Sequence, residues 1–407
     1  MRFSNFVKNL FISYRTFFRL FFRTFFTGKN TQARLTLKRF FIMTGFLPVL
    51  FALQTFHWLG FLLDEVFFRG YRSVPVRAPV FIVGVPRSGT TFLHRLLARD
   101  KDRFCTFALW EMILAPSVCE RKFWLGLGRL DRILGAPFAR LIRWLENRVF
   151  AGLENIHRVS LTDEEEDYFL LAPIYACFLL ILPFPFPDEL GDLACFDHQV
   201  SKSDQERIMD FYKACLKRHL YVKGAEKTFL SKNVAFSPMI RALKDAFPDC
   251  RIIATVRNPV NAVPSHISSM MTGAAIFDND IRKTAFRDQM IEVQRYAYTH
   301  ILETLGDNRG CEMIACMEDL QSHLASTIRA AYQTLGFQIT PEFEQYIRDQ
   351  DRRQKAYQSM HHYDLAAYGL TEADIHERFH DIFEKIGYSL PAVGKDPWTK
   401  TETASNA

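Results

Sequence analysis

The stretch that decides the fold is Val80-Phe81-Ile82-Val83-Gly84-Val85-Pro86-Arg87-Ser88-Gly89-Thr90-Thr91. Its first four residues are an apolar run bounded by Pro79 and Gly84, as expected of a strand buried on both faces. From Thr91 onward, Phe92, Leu93, Leu96 and Leu97 recur on one face at helical spacing. Between strand and helix, Gly84 to Thr91 spells G-x-x-x-x-G-T-T. A glycine-bearing turn lets backbone N–H groups converge, and the helix start adds partial positive charge, so the loop suits a phosphate-like anion. A nucleotide-triphosphate loop would carry Lys where Thr90 stands. That point charge is missing here, and Arg87 offers a guanidinium fork inside the loop instead.

A second strand–helix unit lies at 251–271. Ile252 to Val256 form the strand, Asn258 suits an N-cap, and Pro259 suits the first helical position. Met313 to Cys316 read as a third strand, and a short strand ends near Lys232-Asn233. Ser237-Pro238 opens a helix that Pro248 closes. Strands alternating with helices predict an α/β fold of three layers, a central parallel sheet of the P-loop NTPase type. Arg257 falls at the carboxyl edge of its strand, where open α/β sheets bind ligands. Ser265 follows one to two turns into the next helix. A carboxylate holding Mg²⁺ is expected at that strand end in kinases and ATPases, but Arg257 occupies it. No metal is therefore expected, and a transferred group less charged than a γ-phosphate fits better.

These residues resemble the sulfotransferase family. Pro86-Arg87-Ser88-Gly89-Thr90-Thr91 is similar to its 5′-phosphosulfate loop. Residues 252–271, with Arg257 and Ser265, are similar to its 3′-phosphate site. Residues 313–336, with Glu318-Asp319-Leu320, resemble a later family element, although Met317 stands where Tyr is common. The likeness covers roughly 79–340 and is closest to the bacterial sulfotransferase-3-like and tyrosylprotein-sulfotransferase-like branches. It implies 3′-phosphoadenylyl sulfate as co-substrate, with Arg87, Ser88, Gly89, Thr90, Thr91, Arg257 and Ser265 holding it. It also implies a hydroxyl-bearing acceptor.

Sulfuryl transfer needs a base for the acceptor proton and positive charge for the leaving phosphate. Glu111 follows the loop helix at the distance where the family places a catalytic carboxylate, and Leu109 and Trp110 give it apolar neighbours that would raise its pKa. His157 and Glu165 are alternatives. Glu165 lies in the acidic run Asp163-Glu164-Glu165-Glu166-Asp167, which also fits a solvated helix start with Thr162 and Glu165 as a capping box. Lys232 matches a donor-binding Lys of the tyrosylprotein enzymes and, with Arg87, would neutralise the bridging oxygen; Lys227 is its alternative. Residues 178–187, largely apolar, could wall an acceptor site or simply be core. The competing readings are an atypical phosphotransferase, which the absent loop Lys disfavours, and a non-catalytic membrane adaptor.

Residues 1–79 hold 17 of the 39 Phe and 12 Lys/Arg against only Asp64 and Glu65, a net of +10 in a chain of net +6. Residues 80–407 thus sum to −4. Basic residues interleaved with Phe suit an anionic membrane surface better than nucleic acid. From Phe40 to Leu63 no residue is charged, a length sufficient to cross a bilayer, but Gly45, Pro48, Gln54 and His57 interrupt it. The expected organisation is a membrane-associating helical segment over 1–78, a catalytic domain over 79–390, and a flexible tail over 391–407. The expected placement is monotopic, on the cytoplasmic face, with a single-pass arrangement as the alternative. The eight cysteines show neither a CxxC pair nor metal spacing and read as small buried hydrophobes.

Overall fold

The computed structural model describes residues 3–26, 32–141, 144, 160–279, 284–305, 311–355 and 365–388. Five strands build one parallel sheet: β1 Val80–Gly84, β2 Phe104–Cys105, β3 Thr228–Lys232, β4 Arg251–Val256 and β5 Glu312–Cys316, in spatial order β2-β3-β1-β4-β5. The helices used below are α1 Phe3–Phe26, α2 Leu37–Phe67, α3 Thr90–Leu97, α4 Leu109–Ile113, α5 Val118–Ile133, α6 Lys202–Lys223, α7 Ile240–Ala246, α8 Pro259–Ile276 and α9 Thr284–Leu305.

Alternation along β1 sorts the helices into two outer layers. Val80 and Ile82 join a cluster with Leu93, Leu96 and Leu97 of α3. Phe81 and Val83 join the other, with Phe211 and Tyr212 of α6 and Met290 and Ile291 of α9. The sheet is therefore covered on both faces, which is why its strands are apolar runs rather than alternating ones. The chain leaves β1 for β2 and β3 on one side, then crosses to β4 on the other. That reversal opens a crevice over the carboxyl ends of β1 and β4. Register aligns Gly84 with Thr255 across it and Ile82 with Lys232 on the far side.

The N-terminal helices are built into the same body. Phe6, Phe17 and Leu20 of α1 and Met43, Leu47, Trp58 and Phe61 of α2 belong to the main hydrophobic cluster. The apolar stretch is one 31-residue helix that runs through Gly45 and Pro48, and it is long and apolar enough to cross a membrane. Both of its ends are tied to the domain. Near the start, Arg39 is fully buried and donates to Phe277 O at 2.8 Å, to Pro183 O at 2.9 Å and to the Asn279 side chain. Near the end, the Asp64 carboxylate accepts from Val118 N at 2.9 Å, Cys119 N at 2.8 Å and Arg218 Nε at 2.8 Å. Part of the basic excess is thus turned inward. Arg19 and Arg23 also face Glu189, at 2.5 and 3.0 Å. The composition alone assigned all of that charge to a membrane face.

Candidate active site

The loop after β1 is held open by its neighbours. Gly84 N–H donates to Ser237 Oγ at 2.9 Å while that hydroxyl donates back to Gly84 O at 2.7 Å. Arg87 and Gly89 adopt left-handed backbone angles, φ 69° and 86°. Gly89 suits that left-handed angle, and a Cβ there would also force the Met317 side chain to move. The turn leads directly into α3, whose first N–H groups have no intrahelical partner. Across the crevice, Asn258 caps α8 by accepting from Val260 N at 2.9 Å, and its own N–H donates to Glu318 Oε1 at 3.1 Å. Tyr298 OH donates to Arg257 O. These bonds fix the turn from which Arg257 projects.

The loop after β1 and the turn after β4 meet. Arg87 Nε donates to Ser265 Oγ at 2.9 Å, and Arg257 Nη1 reaches Arg87 O at 3.3 Å. They border a cavity of about 600 Å³ that Gly89, Thr90 and Thr91 also line. Its opposite wall is apolar, with Phe178, Leu179, Leu193, Ala194, Met270 and Val293. One cavity therefore joins two guanidinium groups to an apolar wall.

A carboxylate reaches this cavity from the acidic run. Residues 161–165 pack along 107–110 through a turn at 161–162 and one antiparallel bridge: Leu109 N donates to Asp163 O at 3.0 Å, Trp110 N to Leu161 O at 2.9 Å, and Ala108 bridges Glu164. The expected capped helix is absent there, because these backbone groups are spent on pairing, and a 3₁₀ helix begins only at Asp167. The pairing carries Glu166 to the cavity wall, where its carboxylate lies 2.9 Å from Lys232 Nζ. Glu165 turns to Arg95 at 3.2 Å and stands 3.7 Å from Lys232.

A family model for the sulfotransferase family matches residues 79–342. The chain belongs to the sulfotransferase family. It is 27% identical over 344 residues, 78% of this chain and 79% of the relative, to omega-hydroxy-beta-dihydromenaquinone-9 sulfotransferase Stf3 of Mycobacterium bovis, and equally to that of Mycobacterium tuberculosis. Sulfotransferase STF9 from Mycobacterium avium shares the fold at TM-score 0.65 and 17% identity, covering 83% of this chain and 84% of that one. Sulfotransferase STF1 from Mycobacterium tuberculosis does so at TM-score 0.62 and 18% identity, over 91% and 92%. This sulfotransferase accordingly moves a sulfuryl group from a donor to an acceptor.

Not every residue expected at the sulfotransferase site faces it: Lys232 and Ser265, 2% and 1% exposed, lie just behind the cavity lining. Ser88 is buried beneath the loop; its hydroxyl donates to Val85 O at 2.7 Å and meets Thr255 Oγ1 at 2.6 Å, so it braces the turn. Glu111 is only 1% exposed and is absent from the cavity lining. Its carboxylate caps Ala108 N at 3.0 Å and lies 2.9 Å from Lys223 Nζ. Lys227 donates to Lys101 O at 2.7 Å. His157 lies outside the described residues, as does the tail 391–407.

Three ionisable cavity residues, Arg95, Glu166 and His266, were not singled out from the sequence. Glu166 was visible only as one of five acids. His266, next to Ser265, lines the cavity with its ring 3.2 Å from Gln294 Oε1, and burial pushes its pKa down to about 4. It is therefore a neutral imidazole at neutral pH. His94, behind Lys232, is held down to about 3 by burial and that nearby ammonium. Among the described residues no group of three or more His, Cys, Asp or Glu could hold a metal ion.

Proposed function

We propose that this sulfotransferase transfers the sulfuryl group of 3′-phosphoadenylyl sulfate to a hydroxyl of an amphiphilic, lipid-like acceptor at a membrane surface. The observation that carries the reading is the single cavity in which Arg87, Arg257 and the loop meet an apolar wall. Arg257 would take the 3′-phosphate and Arg87, Gly89, Thr90 and Thr91 the phosphosulfate, while Ser265, buried behind the lining, orients Arg87 by accepting from its Nε. The relatives' name, with its hydroxylated dihydromenaquinone, supports an acceptor of that class.

The residues supply what an in-line displacement needs. The acceptor oxygen forms a bond to sulfur as the bond from sulfur to the phosphate oxygen breaks. The acceptor proton passes to Glu166, the carboxylate on the cavity wall. The electron pair stays with the departing adenosine 3′,5′-bisphosphate, whose growing charge Arg87 would offset at the lining and Lys232 from its buried place behind Glu166. Glu166 replaces Glu111 in this role because Glu111 already caps a backbone N–H and pairs with Lys223 away from the lining. Glu165, tied to Arg95, is the alternative base.

A metal-free thermal-shift series tests the donor. Adenosine 3′,5′-bisphosphate should raise the melting temperature without added metal, and Mg–ATP should do so much less. Equal or reversed shifts would overturn the donor assignment. Glu166→Gln should lower turnover by about 100-fold or more, within the range of a lost general base, while Glu111→Gln should leave chemistry intact.

Membrane association belongs to the same reading. The exposed faces of α1 and α2 show Phe11, Phe18, Phe22, Phe41, Val49 and Phe67, with no acidic residue among positions 3–63. Exposed Lys8, Arg15, Arg34 and Lys38 lie among them. Because both ends of α2 are bonded to the domain, the geometry favours a helix lying along the surface rather than one crossing it. The excess of cations suits the negative cytoplasmic leaflet.

A further inference from the structure

The structure assigns Asp167, Tyr212 and Ser231 a positioning role: together they form a buried strap that holds Glu166 and Lys232 in one geometry. The inference rests on the reading of Glu166 as base and Lys232 as the cation for the leaving group. Glu166 and Asp167 are consecutive, and they grip opposite faces of the end of β3. Glu166 meets Lys232 on the face toward α3. Asp167 meets Ser231 Oγ at 2.9 Å on the face toward α6, from which Tyr212 OH also donates to it. Tyr212 OH lies 3.5 Å from Ser231 Oγ as well, closing the group into a triangle.

The strap touches no ligand position, since none of its three residues lines the cavity. Packing alone does not account for it. A carboxyl and two hydroxyls buried in this layer cost desolvation that an apolar trio would avoid. What they add is direction: bonds on both faces of β3 stop residues 166–167 from sliding along the strand or turning about it. Catalytic pairs need such restraint, because a misplacement near 1 Å can cost about 100-fold in rate. Burial pushes the Asp167 carboxyl up to about 7, against the bonds from Tyr212 and Ser231 that lower it and the Glu166 charge that raises it further. A group held so far from its ordinary range sits under constraint from its surroundings.

The test uses the full chain with radiolabelled 3′-phosphoadenylyl sulfate and geranylgeraniol as a probe alcohol, and calorimetric binding of adenosine 3′,5′-bisphosphate as a readout that needs no acceptor. Asp167→Leu should lower kcat by about 10-fold or more with the acceptor KM little changed, and should weaken bisphosphate binding several-fold through Lys232. Asp167→Asn, which can still accept from Tyr212 and donate to Ser231, should restore most of both. Tyr212→Phe should slow the wild type and cost clearly less in a Glu166→Gln background, because part of its effect runs through Glu166. Melting temperatures that fall while kcat and bisphosphate binding stay unchanged would overturn the strap. So would equal losses from Tyr212→Phe in both backgrounds. An unaffected Glu166→Gln would instead sink the base assignment itself, a separate result. If geranylgeraniol is not accepted, bisphosphate binding decides: no difference between Asp167→Leu and wild type overturns the proposal.

Discussion

Asp167 carries a proton in the folded protein over a range where the unfolded chain has lost it. Its folded pKa is raised to about 7, whereas an unfolded Asp titrates near 3.9. The native state therefore binds more protons between those values, and stability falls as pH rises. The contribution is present in full below about pH 4 and is lost as pH rises through 7. Scanning calorimetry should show wild type losing melting temperature between pH 5 and pH 8 relative to Asp167→Asn, which lacks this titration. Parallel curves for the two proteins would show that Asp167 is ionised throughout. No local pattern marks this residue, which reads as the last of a solvated acidic run. The same limit hid Glu166 and promoted Glu111. A sequence shows which carboxylates exist, but burial and partners decide which of them reaches the cavity. Ser88 illustrates the converse: the loop motif is legible, yet its hydroxyl is spent beneath the turn, and Pro86, Arg87 and Gly89 to Thr91 line the cavity without it.

Elements were legible where their chemistry is contiguous. β1 with its loop and α3, and β4 with α8, each carry strand, turn and cap within about two dozen residues, so periodicity and capping suffice. Pairing of 161–165 with 107–110 was not legible, since it joins segments some fifty residues apart through backbone bonds that any sequence could make. The attachment of α2 is a third kind, written in single charged residues. Asp64 and Glu65 looked like the polar end of a membrane helix, but Arg218 of α6 is 1% exposed and lies 2.8 Å from one and 3.2 Å from the other. Asp64 also caps the start of α5 through Val118 and Cys119. Removing one partner leaves buried charge uncompensated, so Arg218→Met should cost about 3–5 kcal/mol. Denaturant melts would measure it, and hydrogen exchange should rise first along the C-terminal half of α2. A change under about 1 kcal/mol would mean that water already screens the pair, as at an exposed site.

At the scale of the whole molecule, the exposed face of α1 and α2 continues onto α5. Phe56 of α2 contacts Phe123 of α5 at a centroid distance of 6.2 Å, and Leu130, Ile133, Leu134 and Phe138 follow it outward. Lys122, Arg129, Arg132 and Arg140 are exposed among them. An apolar face of this extent on a soluble protein marks an interaction surface, and interspersed cations without acids favour anionic lipid over another copy of a chain bearing the same charge. The acceptor wall is braced from the same side: Phe46 of α2 packs on Phe184 and Phe277, and Arg39 bonds to Pro183 O. Co-sedimentation should show the sulfotransferase bound to vesicles rich in phosphatidylglycerol, less to phosphatidylcholine alone, and less again as salt screens the cations. Replacing Phe11, Phe18 and Phe22 by Ser should reduce vesicle binding by at least ~100-fold, given roughly 1.5–3 kcal/mol for each buried aromatic, while turnover on a water-soluble alcohol stays unchanged. Binding that ignores both salt and these substitutions, together with a dimer in light scattering that the triple variant dissolves, would reassign the face to contact between copies of the chain.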